Sequence, residues 1–310
     1  MSDTIHIATC CDDNFAPYAG VMMLSALKAT PNTAIHFHLV DSGITAANIN
    51  ALHETVQGAG GLLTILEPDN SLYEGLPTHR YGPAVYHRIN LPAYMPESVS
   101  RLLYLDSDTL IQGNLNDLWQ SDLQGHPVAA VENYSPTSSQ DIGLPRQQYF
   151  NSGVLLMDLA QWRKESLHHQ VNDYARENAA TLTYVDQCSL NAVLRGHWQR
   201  LPARWNQQAN VYKAMTRDNA GCGYTPQELK EAFVNPGIVH FTGDKKPWMR
   251  YCFHPFKRTY QGVLAQTPWA GMTPPDDSLN TRFKYATALG KHWNNLRRKA
   301  WIRKATHHGA

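Results

Sequence analysis

Short apolar runs alternate with segments of helical periodicity along most of the chain. Residues 4–11 are apolar and β-branched enough to predict a strand, and residues 18–29 predict a helix stopped by Thr30-Pro31-Asn32. Residues 35–40, where apolar side chains alternate with histidine, predict a second strand ending at Asp41-Ser42-Gly43. A helix over 46–57 and a strand over 62–66, closed by Pro68, follow. Further strands are predicted at 102–105, 127–131, 153–157 and 238–241, and helices at 162–177 and 187–194. Thr225-Pro226-Gln227-Glu228 carries a capping box with proline at the first helical position, so a helix should begin there. Residues 206–223 show little periodicity and predict a loop. Strands alternating with helices imply an α/β fold with a mostly parallel sheet covered on both faces. Ligands of such sheets sit at the carboxyl ends of the strands.

Several polar groups fall at those ends. Asp106-Ser107-Asp108 follows the buried-type run Arg-Leu-Leu-Tyr-Leu, so two carboxylates two residues apart can face one cation. Hard divalent ions such as Mg²⁺ and Mn²⁺ take oxygen ligands, and a site that also uses an imidazole leans toward Mn²⁺. Asp-x-Asp is by itself a common surface turn; the apolar strand before it is what gives it weight. His240 lies in Ile-Val-His-Phe and is followed by Gly243 and Lys246, a close-approaching backbone and a cation suited to a metal-bound diphosphate. A lone strand histidine is more often an inert one. Asp12-Asp13-Asn14 could meet a nucleobase or ribose, or Asn14 could cap the following helix. Asp186-Gln187 opens a helix and could face a ligand or serve as its cap, and residues 149–153 read first as a turn into a strand.

Composition narrows the class. The 310 residues are 43% hydrophobic and 17% charged, which describes an ordinary globular chain. The net charge of +1 conceals an asymmetry: no acidic residue follows Asp277, and the eight Lys/Arg beyond it leave 19 basic against 26 acidic residues in 1–277, a net of −7. An acidic body with a basic tail points to an anionic partner for the tail, and no nucleic acid is expected. Five cysteines, two adjacent and none in a Cys-x-x-Cys pair, argue against a disulfide framework or a structural zinc site. Neither a leader sequence nor a membrane-spanning run is apparent, so a cytoplasmic location is expected.

An ordered series of motifs resembles glycosyltransferase family 8, in particular the bacterial lipopolysaccharide and lipooligosaccharide α-galactosyl- and α-glucosyltransferases. The runs are Cys11-Asp12-Asp13-Asn14-Phe15, Phe37 to Ile44, Tyr86-His87-Arg88-Ile89, Leu103 to Asp108, Tyr149 to Leu156, Asp186-Gln187 and His240-Phe241-x-Gly243-x-x-Lys246-Pro247-Trp248. The resemblance, which covers about residues 5–250, implies a GT-A fold, a Rossmann-like nucleotide-sugar domain with a mixed central sheet, expected over 1–267; the Pro- and Asp-rich stretch after it reads as a linker at 268–280 into a small helical, basic extension at 281–310. It implies a UDP-galactose or UDP-glucose donor, Mn²⁺ and retention of anomeric configuration. Asp106, Asp108 and His240 correspond to metal ligands. Asp12 and Asn14 correspond to uracil or ribose contacts with Phe15 stacking on the base, and Gly243 and Lys246 to diphosphate contacts. Ser107 lies beside them in the donor site. Arg88, Asn151, Ser152, Asp186 and Gln187 correspond to the donor-sugar pocket, with Gln187 and Asp186 as catalytic candidates. An amide is a poor nucleophile, which favours same-face attack with these two groups stabilising an oxocarbenium-like state. Thr242 and Asp244 depart from the Cys and Pro of related galactosyltransferases, so the acceptor does not carry over.

In the tail, Phe283, Ala286, Leu289, Trp293, Leu296 and Ala300 fall at helical spacing among Lys and Arg. A basic amphipathic helix with Trp predicts a membrane-surface anchor, placing the enzyme on the inner face of the cytoplasmic membrane near a lipid-linked glycan acceptor; a solvated tail or a helix packed on the acidic body is the alternative. Competing functions are a nucleotidyltransferase, which should carry a Gly-rich basic loop where Asp12-Asp13-Asn14 stands, a non-catalytic glycan- or nucleotide-binding module, and a glycogenin-like self-glucosylating enzyme with one of the fifteen tyrosines as acceptor.

Overall fold

A computed structural model describes residues 4–76, 83–135, 137–178, 181–216 and 221–307. The strands are β1 (Ile5–Cys11), β2 (Ile35–Asp41), β3 (Leu62–Leu66), β4 (Arg101–Leu105), β5 (Thr109–Ile111), β6 (Val128–Glu132), β7 (Phe150–Asp158), β8 (Gln199–Arg200), β9 (Gln207–Gln208) and β10 (Ile238–His240). The helices are α1 (Ala16–Ala29), α2 (Ala46–Gly58), α3 (Leu91–Tyr94), α4 (Leu115–Trp119), α5 (Leu159–Lys164), α6 (Leu167–Glu177), α7 (Val185–Leu194), α8 (Val211–Thr216), α9 (Pro226–Val234), α10 (Lys257–Leu264), α11 (Leu279–Thr287) and α12 (Leu289–His307).

The main sheet runs β3-β2-β1-β4-β7-β6-β8. Its members are parallel except β7, which is antiparallel to both β4 and β6. Alternate residues of the central strands feed two cores. Ile5, Ile7, Leu103, Leu105 and Leu156 pack on one face, and Ala8, Leu102, Tyr104, Leu155 and Met157 on the other. Burial on both faces is why these strands read as continuous apolar runs. The order reverses between β1 and β4, so the crevice at their carboxyl ends is a topological switch point, and Asp12 and Asp106 stand on either side of it.

Several expectations are corrected. The strand expected at 153–157 begins at Phe150, so the supposed turn at 149–153 is largely strand. The helix expected over 162–177 is two helices, separated where Ser166 takes a left-handed conformation (φ 52°). The expected loop at 206–223 contains β9 and α8. β10 is not in the main sheet; it forms a small sheet with β5 and β9. Asn14 does not cap α1. Phe15 holds that position, and the Asp12 carboxylate accepts from the Phe15 N–H at 3.1 Å. The capping box at Thr225 forms as expected.

After α10 the chain returns to the body. Trp269 lies against Gly20 of α1 and donates its indole N–H to Asn48 Oδ1 at 2.8 Å. Asp276 accepts from the backbone N–H groups of Arg250 and Tyr251, and Asp277 pairs with Arg250 and Arg282. The basic extension is two helices broken at Ala288, with Phe283 and Ala286 on the first. One side of α12 packs on the body: Trp301 meets Tyr212 and Phe233, and the Arg298 guanidinium lies 4.4 Å from the Tyr212 ring centroid.

Candidate active site

The site is assembled by the small sheet. β5 leaves directly from Asp106-Ser107-Asp108, and its antiparallel pairing with β10 sets Thr109 opposite His240. The Phe241 N–H then donates to the Asp108 carbonyl at 3.0 Å. This register brings an imidazole 130-odd residues distant in sequence onto the two carboxylates. His240 Nε2 is 3.1 Å from Asp108 Oδ1 and 3.6 Å from Asp106 Oδ2. β9, parallel to β10, carries Asn206 to the other side of the ring, with its Oδ1 3.0 Å from His240 Nδ1. Asn206 Oδ1 can only accept, so Nδ1 donates to it, and the contact turns Nε2 toward the carboxylates, as outer-shell partners of ligating histidines do.

Gly153 completes the cradle. A Cβ there would stand 2.2 Å from His240 Cε1 and 2.5 Å from Asp106 Oδ2, so only glycine lets β7 pass so close. Asp106 is further fixed by the Tyr104 hydroxyl, which donates to Oδ1 at 2.7 Å, and by Arg88 at 3.0 Å. Lys246 Nζ bridges Asp108 Oδ2 at 2.5 Å and the Phe241 carbonyl at 2.8 Å. Burial alone would raise the Asp108 carboxyl; Lys246 and His240 overcome it and hold the group well below the usual carboxylate range.

On the other flank Arg88 is sandwiched between two acids, with Nε 3.2 Å from Asp186 Oδ2 and its guanidinium over the Tyr104 ring at 4.8 Å. It also donates to the Ser152 carbonyl and hydroxyl at 3.0 and 3.1 Å. Burial, with Asp106 adding to it, pushes the Asp186 carboxyl up, against the pull of Arg88. Asp186 is not the cap of α7; that position is Tyr184, and Asp186 sits buried in the first turn. Gln187 Oε1 accepts from Asn151 Nδ2 (3.0 Å) and the Ser152 N–H (3.1 Å), and its amide N donates to the Tyr149 hydroxyl. Asn151 in turn accepts from Asn206, linking this pocket to the acid–imidazole cluster.

The acid–imidazole cluster and the Arg88–Asp186–Gln187 pocket open on one cleft of about 1230 Å³. Of the residues singled out in the sequence, Asp12, Phe15, Arg88, Asp106, Ser107, Asp108, Asn151, Ser152, Asp186, Gln187, His240, Gly243 and Lys246 line it. Asn14 is exposed outside the lining. Asp13 is turned away, accepting from Thr45 and Asn48 at the start of α2. The cleft's remaining lining includes the neutral polar residues Asn133, Ser135, Ser138, Gln208 and Asn210, together with apolar Val85, Trp248 and Met249 and the acidic Asp244. Sequence reading placed Tyr104, Gly153 and Trp248 within its motif runs without giving them a role, and it missed Asn206. A glycine inside an apolar strand was the one available signal; Asn206 lay in what read as a loop.

The family described as Glycosyl transferase family 8 matches residues 6–252. The chain belongs to glycosyltransferase family 8. It is 31% identical over 278 residues to General stress protein A of Bacillus subtilis, covering 86% of this chain and 95% of that protein. It is 24% identical to the lipopolysaccharide 1,2-glucosyltransferase of Escherichia coli K12, over 94% of this chain and 87% of the relative. Among solved structures it is similar to the galactosyltransferase LgtC in complex with donor and acceptor sugar analogs, with a TM-score of 0.73, 26% identity, and coverage of 89% of this chain and all of that one. The mixed α/β architecture is therefore the GT-A fold of family 8, and the protein is a transferase.

Proposed function

We propose that this family 8 enzyme transfers galactose or glucose from UDP-galactose or UDP-glucose, with retention, to a lipid-linked lipopolysaccharide or lipooligosaccharide glycan. The observation that carries the reading is the Asp106–Asp108–His240 cluster with Lys246 on one side and the Arg88–Asp186–Gln187 pocket on the other. Two carboxylates and an imidazole fit Mn²⁺, and the fit is supported by the oriented Nε2 of His240 and by the space that only Gly153 leaves. When bound, the ion supplies Lewis-acid stabilisation of the charge that gathers on the departing diphosphate. Lys246 adds a fixed cation beside that charge. Exposed Phe15, edge-on to Trp248, offers an aromatic surface to the base, and Asp12 lies next to it.

Gln187 and Asp186 are bound up in the pocket's own network, Gln187 by Asn151 and Ser152 and Asp186 by Arg88 and Ser152. Neither is presented as a free nucleophile, which supports same-face attack with both groups stabilising the sugar cation. A covalent sugar adduct trapped on either residue of the wild-type enzyme would overturn that mechanism. The neutral polar side chains of the lining suit a glycan acceptor, and the acceptor class follows the names of the lipopolysaccharide transferases to which the chain is similar.

Membrane docking is part of the proposal. Leu289, Trp293, Leu296 and Ala300 form an exposed stripe at i, i+4, i+7, i+11 on the side of α12 away from Trp301 and Ile302, with Arg297 and Lys304 on one flank and Lys299 and Arg303 on the other. Apolar side chains rimmed by cations suit an anionic membrane surface, where the enzyme would sit peripherally on the cytoplasmic side. No helix among the described residues is long and apolar enough to cross a membrane. The test is a donor screen: UDP-glucose against UDP-galactose, with and without Mn²⁺, with lipooligosaccharide acceptors. Metal-dependent transfer from one donor is expected; no metal-dependent UDP release from either would refute the reading.

A further inference from the structure

Two side-chain clusters among the described residues could hold a metal ion, and only one lies in the cleft. The second is His6, His36 and His38, at the amino end of β1 and on β2. The parallel register sets His6 beside His36 and puts His38 two residues on, so all three rings share one face of the sheet. At about 3.3 Å of rise per residue, His6 lies about 20 Å from Asp12 at the other end of β1.

We propose that His6, His36 and His38 form a second metal site, for a borderline transition-metal dication of the Zn²⁺ class. One nitrogen from each ring falls within 4.8 Å of the others, and His6 Nδ1 is 3.0 Å from His38 Nε2. Zn–N distances of about 2.0–2.1 Å in a tetrahedral site put ligand nitrogens about 3.3 Å apart, inside that range. The donor set has no carboxylate, which selects against Mg²⁺, Ca²⁺ and Mn²⁺ and for Zn²⁺, Ni²⁺ or Cu²⁺. His36 Nε2 is 2.8 Å from Thr64 Oγ1, a partner that fixes the ring and frees Nδ1 for a ligand bond. His38 is buried at 3% exposure, and its Nδ1 has no hydrogen-bond partner. Its Nε2 is the nitrogen that faces His6, so the ring is already turned into the cluster. Metal binding need displace only the hydrogen bond between His6 and His38. His6 and His36 are half-buried and Leu62 beside them is 61% exposed, which leaves an entry path and a solvent position for the fourth ligand. A bound ion would clip β1 to β2 at the end of the sheet remote from the cleft.

The test uses the full chain in three forms: wild type, Asp106→Asn/Asp108→Asn, and the latter combined with His6→Gln/His36→Gln. Each is loaded with Zn²⁺, passed through gel filtration and assayed for bound metal, and each is titrated with Co²⁺ for a visible absorption band. The acidic-site variant should retain one equivalent of Zn²⁺ and a Co²⁺ band, and the added histidine changes should abolish both. Thr64→Val, which leaves all three proposed ligands in place and removes only the partner that fixes the His36 ring, should weaken binding about 10- to 100-fold in the acidic-site background and keeps the test decisive if the histidine variant folds poorly. Loss of all Zn²⁺ in the acidic-site variant, or retention after the histidine changes, overturns the proposal. Neither result bears on the transferase reading.

Discussion

Gly153→Ala isolates the geometry of the acid–imidazole cluster from every other property of the cleft. Gly153 is not among the glycines with positive φ, so alanine there incurs no backbone strain. The whole effect must come from the new methyl, which would meet His240 Cε1 at 2.2 Å, Asp106 Oδ2 at 2.5 Å and His240 Nδ1 at 2.9 Å. Carbon contacts are ordinarily about 3.5–4.0 Å, so the imidazole or the strand must give by more than about 1 Å. His240 is only 3% exposed and tethered to Asn206, and it has little room to give. Overpacking of this kind costs about 1–3 kcal/mol of stability. Misorienting a ligand costs about 10- to 100-fold in metal affinity, or about 1.4–2.7 kcal/mol. Titrating UDP release against Mn²⁺ should therefore show half-saturation shifted upward by that factor, with a lowered melting temperature beside it. Gly58→Ala, where a Cβ meets nothing within 4 Å, is the control and should leave both unchanged. An unshifted Mn²⁺ curve for Gly153→Ala with wild-type turnover would refute the claim that these residues close around a metal.

Other perturbations probe separate parts of the structure. Asn206→Leu removes the group that orients His240 and should weaken Mn²⁺ binding about 10- to 100-fold, read as metal-dependent activity restored at high Mn²⁺. His87, buried at 2% exposure against the Tyr73 hydroxyl, is lowered to about 4 by burial. Its folded pKa is depressed, so the fold favours the neutral ring: its contribution is intact above about pH 6.5 and is lost as pH falls toward 4, reaching about 2 kcal/mol at pH 5. His87→Gln should flatten the fall in melting temperature between pH 7 and 5, and an unchanged slope would count against the assignment. Leu289→Ser/Trp293→Ser/Leu296→Ser should release the protein from vesicles containing anionic lipid without altering its melting temperature, because these side chains are 59–75% exposed. Undiminished sedimentation with such vesicles would remove α12 as the docking element.

Much of the fold was legible in the sequence. Strand runs buried on both faces announce themselves by continuous apolar composition, and β1 and β2 fall close to their expected bounds, as does the partly exposed edge strand β3. The Thr225–Glu228 capping box is a local hydrogen-bonding unit and needs no tertiary information. The failures lie where tertiary contacts override local signals. Residues 207–208 become a strand only because β10 lies alongside, and residues 150–153 extend β7 with Asn191 and Gln187 accepting from the backbone N–H groups of Phe150 and Ser152. The helix expected over 162–177 breaks at Ser166, whose left-handed backbone no local composition rule foretold.

By itself the sequence determined which chemistry was available: two carboxylates after an apolar strand, a histidine and a lysine six apart, and a basic tail on an acidic body. These are matters of residue type and near-neighbour spacing, which a chain carries whatever its fold. Only the tertiary structure decided what meets what. The β5–β10 register delivers His240 to Asp106 and Asp108, β9 supplies Asn206 to orient it, and β7 can approach only because residue 153 has no side chain. Arg88, from a segment between the sheet strands, joins Asp106 to Asp186 across 80 residues of sequence. Contacts between such distant residues are set by strand register and by packing of the two cores, and neither leaves a periodic trace along the chain.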